Sequence, residues 1–394
     1  MFFIICQGCA QGVPRTLTQK VKIMPGAMST TEYLPLLKDK KVGLVVNQTS
    51  LIGSVHLVDS LISRGVQVVR LYAPEHGLRG QADAGETIKD GVDTKTGIPV
   101  TSLYGDKKKP TKSDLEGIDV MVFDIQDVGV RFYTYISTLH YLMEGLAEAN
   151  VPLIILDRPN PNGHYIDGPM MDTSKYRSFV GMHPIPVVHG LTIGEYGGMI
   201  NGEKWIKKSC VLTVIRCKNY DHTSFYDLPV RPSPNLPNIR SILLYPGICF
   251  FEGTTGSLGR GTSSPFQVVG HPEYPDKTFS FTPQQTPGAL HPPLEGKTCY
   301  GVDLTKTNVD SLFANAYMDL SVLLSFYNRM ATASFFTPAW FDKLAGGPSL
   351  RESILAGKTE AEIRQSWVPG LREFQKKRVK YLLYADSLQC EKRG

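Results

Sequence analysis

Short blocks of aliphatic and β-branched residues recur along the chain, spaced widely enough for a helix to fit between them. KVGLVVNQ (41–48) shows little alternation and reads as a strand buried on both faces. Ser54 then suits a helix cap, Val58, Leu61 and Ile62 recur at helical spacing, and Gly65 ends that helix. QVVRLYA (67–73) is the next strand, so the pattern opens as a β-α-β unit. Further strands follow at 98–104, 119–125, 152–157 and 210–217, with a helix over 135–149 striped by Leu139, Leu142, Met143 and Leu146. TIGEYGGMING (192–202) predicts a weaker helix, because Gly197 and Gly198 each cost about 1 kcal/mol relative to alanine.

Such alternation predicts an α/β fold with a Rossmann-like, doubly wound, mostly parallel sheet over residues 36–228, after a leader covering 1–35. The texture changes near residue 229, where LPVRPSPNLPN (228–238) is proline-rich. Beyond it, 243–262 mixes strand-like apolar pieces with glycine turns, helical pieces recur near 309–316, 349–356 and 359–367, and KYLLY (380–384) reads as a terminal strand. Residues 229–394 are therefore expected to form a second, smaller α+β domain.

Composition narrows the class. With 42% hydrophobic and 20% charged residues in 394, the chain has the makeup of a globular protein with a sizeable core. The net charge of +5 is dispersed, and the one sharp basic run, Lys107 to Lys109, sits beside Gly105 and Pro110 as a solvated turn, so nucleic acid is not an expected partner. No apolar run approaches the roughly 20 residues that a membrane-spanning helix needs. MFFIICQGCAQG at the N-terminus resembles the tail of an export signal, with Cys9 as a candidate lipid anchor. It lacks a basic region, however, and a disordered terminus or a Cys6-x-x-Cys9 pair remain alternatives. Cys210 and Cys217 flank one strand at an odd separation and would face opposite ways, so no disulfide framework is expected.

Candidate chemistry gathers after the strands, where open parallel sheets bind ligands. Glu75 and His76 lie immediately after the strand 67–73, Asp124 and Asp127 close the strand 119–125, and Asp157 and Arg158 close the strand 152–157. Glu75, flanked by Pro74 and Gly77 and close to apolar Leu71 and Ala73, suits a general acid, and Glu86 in DAGE is a second carboxylate. His76 could join them or bond a loop carbonyl. Arg131, Tyr133 and Tyr135 suit an acidic sugar, the guanidinium as a bidentate clamp and the tyrosines as apolar faces with hydroxyls, the alternative being an aromatic helix start packed in the core; Arg79 is a further substrate-binding candidate. Asn160 in DRPNPNG, His189 in HGLTIGE, and Glu252 and Arg260 among glycines complete the binding candidates. No G-x-G-x-x-G follows the first strand, so a dinucleotide site is not expected; no cofactor is expected.

PEHGLRG, DAGE, SLYG, VFDIQDVGVRFYTYISTL, LDRPNPNG, HGLTIGE, PSPNLP and FEGT…GRGT, in this order, closely resemble the DUF1343 family of NamZ-type exo-β-N-acetylmuramidases. The similarity runs from about residue 40 to a W-x(6)-F-x(3)-R-x(2)-YLLY pattern that begins at Trp367. The resemblance implies that the second domain completes a cleft with the first, and that the protein releases terminal N-acetylmuramic acid from non-reducing ends of peptidoglycan fragments, in cell-wall turnover or recycling. It implies an exported, periplasmic or envelope location, and muropeptides or MurNAc-GlcNAc oligosaccharides as partners. Glu75 carries over as the first catalytic candidate, with Glu86, Asp124 and Asp127 as possible partner carboxylates, and Arg131 or Arg260 would hold the lactyl carboxylate. Two other readings compete: a metal-dependent hydrolase using Glu75, His76, Asp124 and Asp127, and a non-catalytic envelope protein that binds muropeptides.

Overall fold

The computed structural model describes residues 22–75, 77–78, 90–330 and 334–386. Seven strands form the main sheet: β1 (Lys41–Val46), β2 (Gln67–Ala73), β3 (Gly91–Val92), β4 (Pro99–Ser102), β5 (Val120–Asp124), β6 (Leu153–Leu156) and β7 (Leu212–Ile215). Their order across the sheet is β3-β4-β2-β1-β5-β6-β7, parallel throughout except for the β3–β4 pair. Every residue of β5 and β6 is buried, as their unbroken apolar runs require when helices cover both sheet faces. From β1 the chain winds outward through β2 and β4, then returns to place β5 on the other side of β1. The carboxyl ends of β1 and β5 therefore flank a topological switch point, where α/β sheets leave a crevice.

Helices α1 (Thr30–Leu37), α2 (Leu57–Ser63), α3 (Tyr135–Ala149) and α4 (Ile193–Gly202) accompany this sheet. Two details depart from the sequence expectation. Residues 53–54 form the turn of a small hairpin, Leu51–Ile52 with Val55–His56, so α2 starts later and is capped by the His56 ring accepting from Val58 N. The leader is also structured from Lys22 onward. Met24 pairs with Lys218, and α1 buries Tyr33 and Leu37 against the sheet. Gly26 fits there because a Cβ would sit 2.2 Å from the Ile215 carbonyl.

The second half opens with a helix, Ile239–Ile248, followed by a 3-10 turn, Cys249–Gly253. This replaces the strand-like reading of residues 243–253. Asn238 and Ser241 make a reciprocal capping box, and nearly every side chain of the helix is buried, which hides helical periodicity in the sequence. A three-stranded antiparallel sheet follows, with β8 (Val268–His271), β10 (Cys299–Asp303) and β9 (Ser280–Phe281) in that spatial order. Five helices follow among the described residues: Val309–Asn315, Ser321–Met330, Pro338–Ala345, Ser349–Leu355 and Glu360–Arg378.

The expected terminal strand at 380–384 is instead a 3-10 turn, Val379–Tyr381, and a tail anchored by side chains. Tyr384 donates to Asp157 Oδ2 at 2.7 Å, and Leu383 N donates to Glu195 Oε1 at 2.8 Å. Arg378, fully buried, binds the Gly190 carbonyl and Asp386. One hydrophobic core joins the two halves, with Phe132 edge-on to Tyr245 and Phe250 at centroid distances of 5.3 and 5.8 Å.

Candidate active site

A cavity of about 810 Å³ lies between the two halves. One wall comes from the carboxyl ends of three parallel strands: Glu75 after β2, Tyr104, Gly105 and Lys108 after β4, and Phe132 to Tyr135 after β5. The other comes from the helix and turn at 239–253, Arg260, Phe266 and the loop at 288–293. Of the sequence candidates, the cavity brings together Glu75, Tyr133, Tyr135, Glu252 and Arg260.

Both oxygens of Glu75 are held. Tyr104 donates its hydroxyl to Oε1 at 3.0 Å, and Thr134 donates to Oε2 at 2.6 Å. Thr134 is the N-cap of α3 but makes no side-chain cap bond, because its hydroxyl is directed to Glu75 instead. The carboxylate thus sits by the partly positive start of a 15-residue helix. Burial, and the charge of Glu75, push the Tyr104 phenol above its usual range, so it stays protonated and donates. Tyr104 and Thr134 were not singled out in the sequence. Their signal was position, each being a polar residue just beyond a strand of the same sheet edge.

Tyr133 and Tyr135 pack edge to face at 4.9 Å. Their hydroxyls are already engaged: Tyr133 donates to the Pro232 carbonyl at 2.8 Å, and Tyr135 accepts from Asn47 Nδ2 at 2.9 Å. They therefore offer rings to a ligand, with Tyr245 and Phe266 alongside in the same wall. Across the cavity, Glu252 Oε1 accepts from Arg260 Nη2 at 2.6 Å, and the guanidinium lies 5.1 Å from the Phe266 ring centre.

The remaining candidates do not line this cavity. Arg131 is fully buried and donates to the carbonyls of Pro169, Ile185 and Leu344 at 2.7, 2.7 and 2.8 Å. It ties the two halves together and has no path to a substrate carboxylate. Asp124 is paired with Arg158 through both oxygens, at 2.6 and 2.9 Å, beneath the sheet edge. This pair is structural, which also removes Asp124 from any metal-ligand set. Asp157 accepts from Gly194 N at the start of α4 and from Thr192 and Tyr384. Asn160 bridges Leu191 O and Asn162 N. His189 accepts from Leu191 N, and burial lowers its pKa to about 3, so it is neutral. His76, Arg79 and Glu86 lie outside the described residues, as do Cys6 and Cys9. No group of three or more metal-ligating side chains gathers among the described residues.

Asp127 stands behind the tyrosine wall. Its Oδ2 accepts from Gly129 N at 2.7 Å, and burial raises its pKa to about 7. A carboxyl that keeps its proton when folded but loses it near 4 when unfolded stabilises the fold most at low pH. That contribution disappears as pH rises through about 7. Asp127→Asn should therefore gain stability over the parent at pH 8 relative to pH 5, by of order 2 kcal/mol, with turnover retained. Denaturant unfolding at the two pH values checks this, and an identical difference at both would contradict it.

Comparison with known proteins places the chain. Family models described as exo-beta-N-acetylmuramidase NamZ, N-terminal and C-terminal, match residues 42–240 and 243–384. The peptidoglycan beta-N-acetylmuramidase NamZ of Bacillus subtilis (strain 168) is 40% identical over 380 residues, covering 90% of this chain and 89% of the relative. Two crystal structures of DUF1343 family proteins from Bacteroides fragilis NCTC 9343 share the fold. One is 43% identical with a TM-score of 0.87, the other 29% identical with a TM-score of 0.76, and each alignment covers 93% of this chain and all of the other.

Proposed function

The chain belongs to the exo-β-N-acetylmuramidase NamZ family, and from that membership we propose that Glu75 is the acid or base of its glycosidase reaction, with Glu252 facing it across the cavity. The protein is a glycoside hydrolase whose substrate is peptidoglycan-derived, an N-acetylmuramic acid glycoside. The observation that carries the residue assignment is the Glu75 carboxylate, fixed by two donors and presented into a cavity built by both halves. Glu75 and Glu252 are the carboxylates among the described residues that line it.

Glycoside hydrolysis needs one carboxylic acid to protonate the departing oxygen and a second carboxylate to act as nucleophile or activate water. Glu75 has the fixed orientation that proton transfer to a bridging oxygen requires. Glu252 supplies the second carboxylate, steadied by Arg260. The tyrosine and phenylalanine rings give the sugar apolar faces to lie against, and an 810 Å³ cavity is in the range of sites that enclose one or two sugars. A peptidoglycan-derived substrate is consistent with action at the cell envelope. No helix among the described residues is long and apolar enough to cross a membrane.

The test is product analysis. The purified protein, given MurNAc-GlcNAc oligosaccharides, should release N-acetylmuramic acid stepwise from the non-reducing end, and should do so in the presence of a strong chelator. Cleavage at interior bonds would refute exo action, loss of turnover with chelator would restore the metal-dependent reading, and tight binding with no sugar released would make the protein a receptor.

A further inference from the structure

The basic run Lys107-Lys108-Lys109 looks uniform in sequence, but its three ammonium groups are used differently. Lys107 Nζ lies 3.1 Å from Asp90 and 3.2 Å from Asp114. Lys109 Nζ lies 2.7 Å from Glu148 and 3.2 Å from Glu144. Each outer lysine thus has two carboxylates and serves the outer surface. Lys108 turns the other way, into the cavity wall, where its Nζ donates to the Gly105 carbonyl at 2.8 Å and lies 5.6 Å from the Phe179 ring centre. A carbonyl satisfies one of the three donors of an ammonium and none of its charge.

Phe179 also packs against Tyr104 at 5.8 Å, and Tyr104 holds Glu75. Lys108 therefore belongs to the Glu75 side of the cavity, on the same loop that positions the proposed catalytic carboxylate. Arg260, the other strong cation in the lining among the described residues, already holds Glu252 at 2.6 Å, and Arg131 is closed off behind three carbonyls. N-acetylmuramic acid brings a carboxylate of its own toward Glu75, and like charges at close range repel unless a cation intervenes.

We propose that Lys108 receives the lactyl carboxylate of N-acetylmuramic acid and so sets the preference for this sugar over neutral N-acetylhexosamines. The proposal rests on the glycosidase reading above and names the group that gives that site its specificity. Phe179 forms an apolar floor under the ammonium, which strengthens a charge-assisted hydrogen bond by limiting access of water. The outer two lysines engage the four surrounding carboxylates, Asp90, Asp114, Glu144 and Glu148.

The experiment compares binding of N-acetylmuramic acid and of its lactyl methyl ester, by calorimetry, to the full chain and to Lys108→Met and Lys108→Arg. The parent should bind the acid about tenfold or more tighter than the ester. Lys108→Met should bind the two alike with ester affinity unchanged, and Lys108→Arg should keep most of the preference. A Lys108→Met protein that retains the full preference overturns the proposal, as does a parent that hydrolyses a chromogenic N-acetylmuramide yet does not distinguish acid from ester. A parent that neither binds the acid nor hydrolyses the muramide overturns the glycosidase reading and this proposal together.

Discussion

Glu75→Gln should lower turnover of a chromogenic β-N-acetylmuramide by about 10³-fold or more while leaving the unfolding midpoint within a few degrees of the parent. The amide is isosteric, and its carbonyl can still accept from Thr134 or Tyr104, so the side chain at position 75 keeps a hydrogen bond to its neighbours. What it cannot do is deliver or take a proton at the pH of the reaction, a role worth roughly 10²–10⁴-fold in typical enzymes. A substrate bound by rings and cations elsewhere in the cavity would still bind, so the loss should appear in kcat and not in KM. Steady-state kinetics on the variant separate the two parameters. A variant that turned over at the parent rate would remove Glu75 from the chemistry.

Asp124→Asn should have a comparably large effect, but on the fold. The Arg158 guanidinium is 4% exposed and Asp124 is fully buried, so neutralising the acid leaves a desolvated cation with no counter-charge. Breaking such a pair costs about 3–5 kcal/mol, whereas replacing both partners with matched neutral side chains is often close to neutral. The expected pattern is a strongly destabilised Asp124→Asn single variant, and recovery of both stability and turnover when Arg158→Met is added. Denaturant unfolding of the single and double variants, read beside their activity, gives the answer. A stable Asp124→Asn protein with no turnover would instead make Asp124 catalytic.

These two carboxylates show what the sequence could and could not reveal. Both lie at the carboxyl end of a strand of the same sheet, and strand ends at a switch point are where chemistry is expected, so Glu75 and Asp124 looked alike. They differ through partners far away in sequence. Glu75 meets two neutral hydroxyls at the cavity, while Asp124 meets a guanidinium 34 residues later. Arg131 was misread for the same reason, since its three carbonyl partners lie 38, 54 and 213 positions away. The apolar runs of β1, β5 and β6 were legible because a fully buried strand leaves its mark locally. The helix Ile239–Ile248 was not, because it carries Pro246 and is buried on nearly every side, which erases the stripe that reveals an amphipathic helix. Glu252 and Arg260 were recognisable as the far wall from their glycine-rich setting and the family motif, though their mutual pairing was not.

The lysine run carries the same lesson at shorter range. Composition assigns it to solvent, and for Lys107 and Lys109 the carboxylates of the outer surface agree. Only the fold of the loop after β4, with Gly105 and Phe179 in contact with Lys108, separates the middle residue from its neighbours.

The proposed role of Glu75 requires the scissile bond to lie within its reach. The most direct measurement is a crystal structure of the Glu75→Gln protein with MurNAc-GlcNAc bound. It should show the side chain at position 75 within about 2.6–3.2 Å of the glycosidic oxygen, with the muramic ring in the cavity between the two halves. A glycosidic oxygen out of reach of position 75, or a disaccharide seated elsewhere on the protein, would contradict the account.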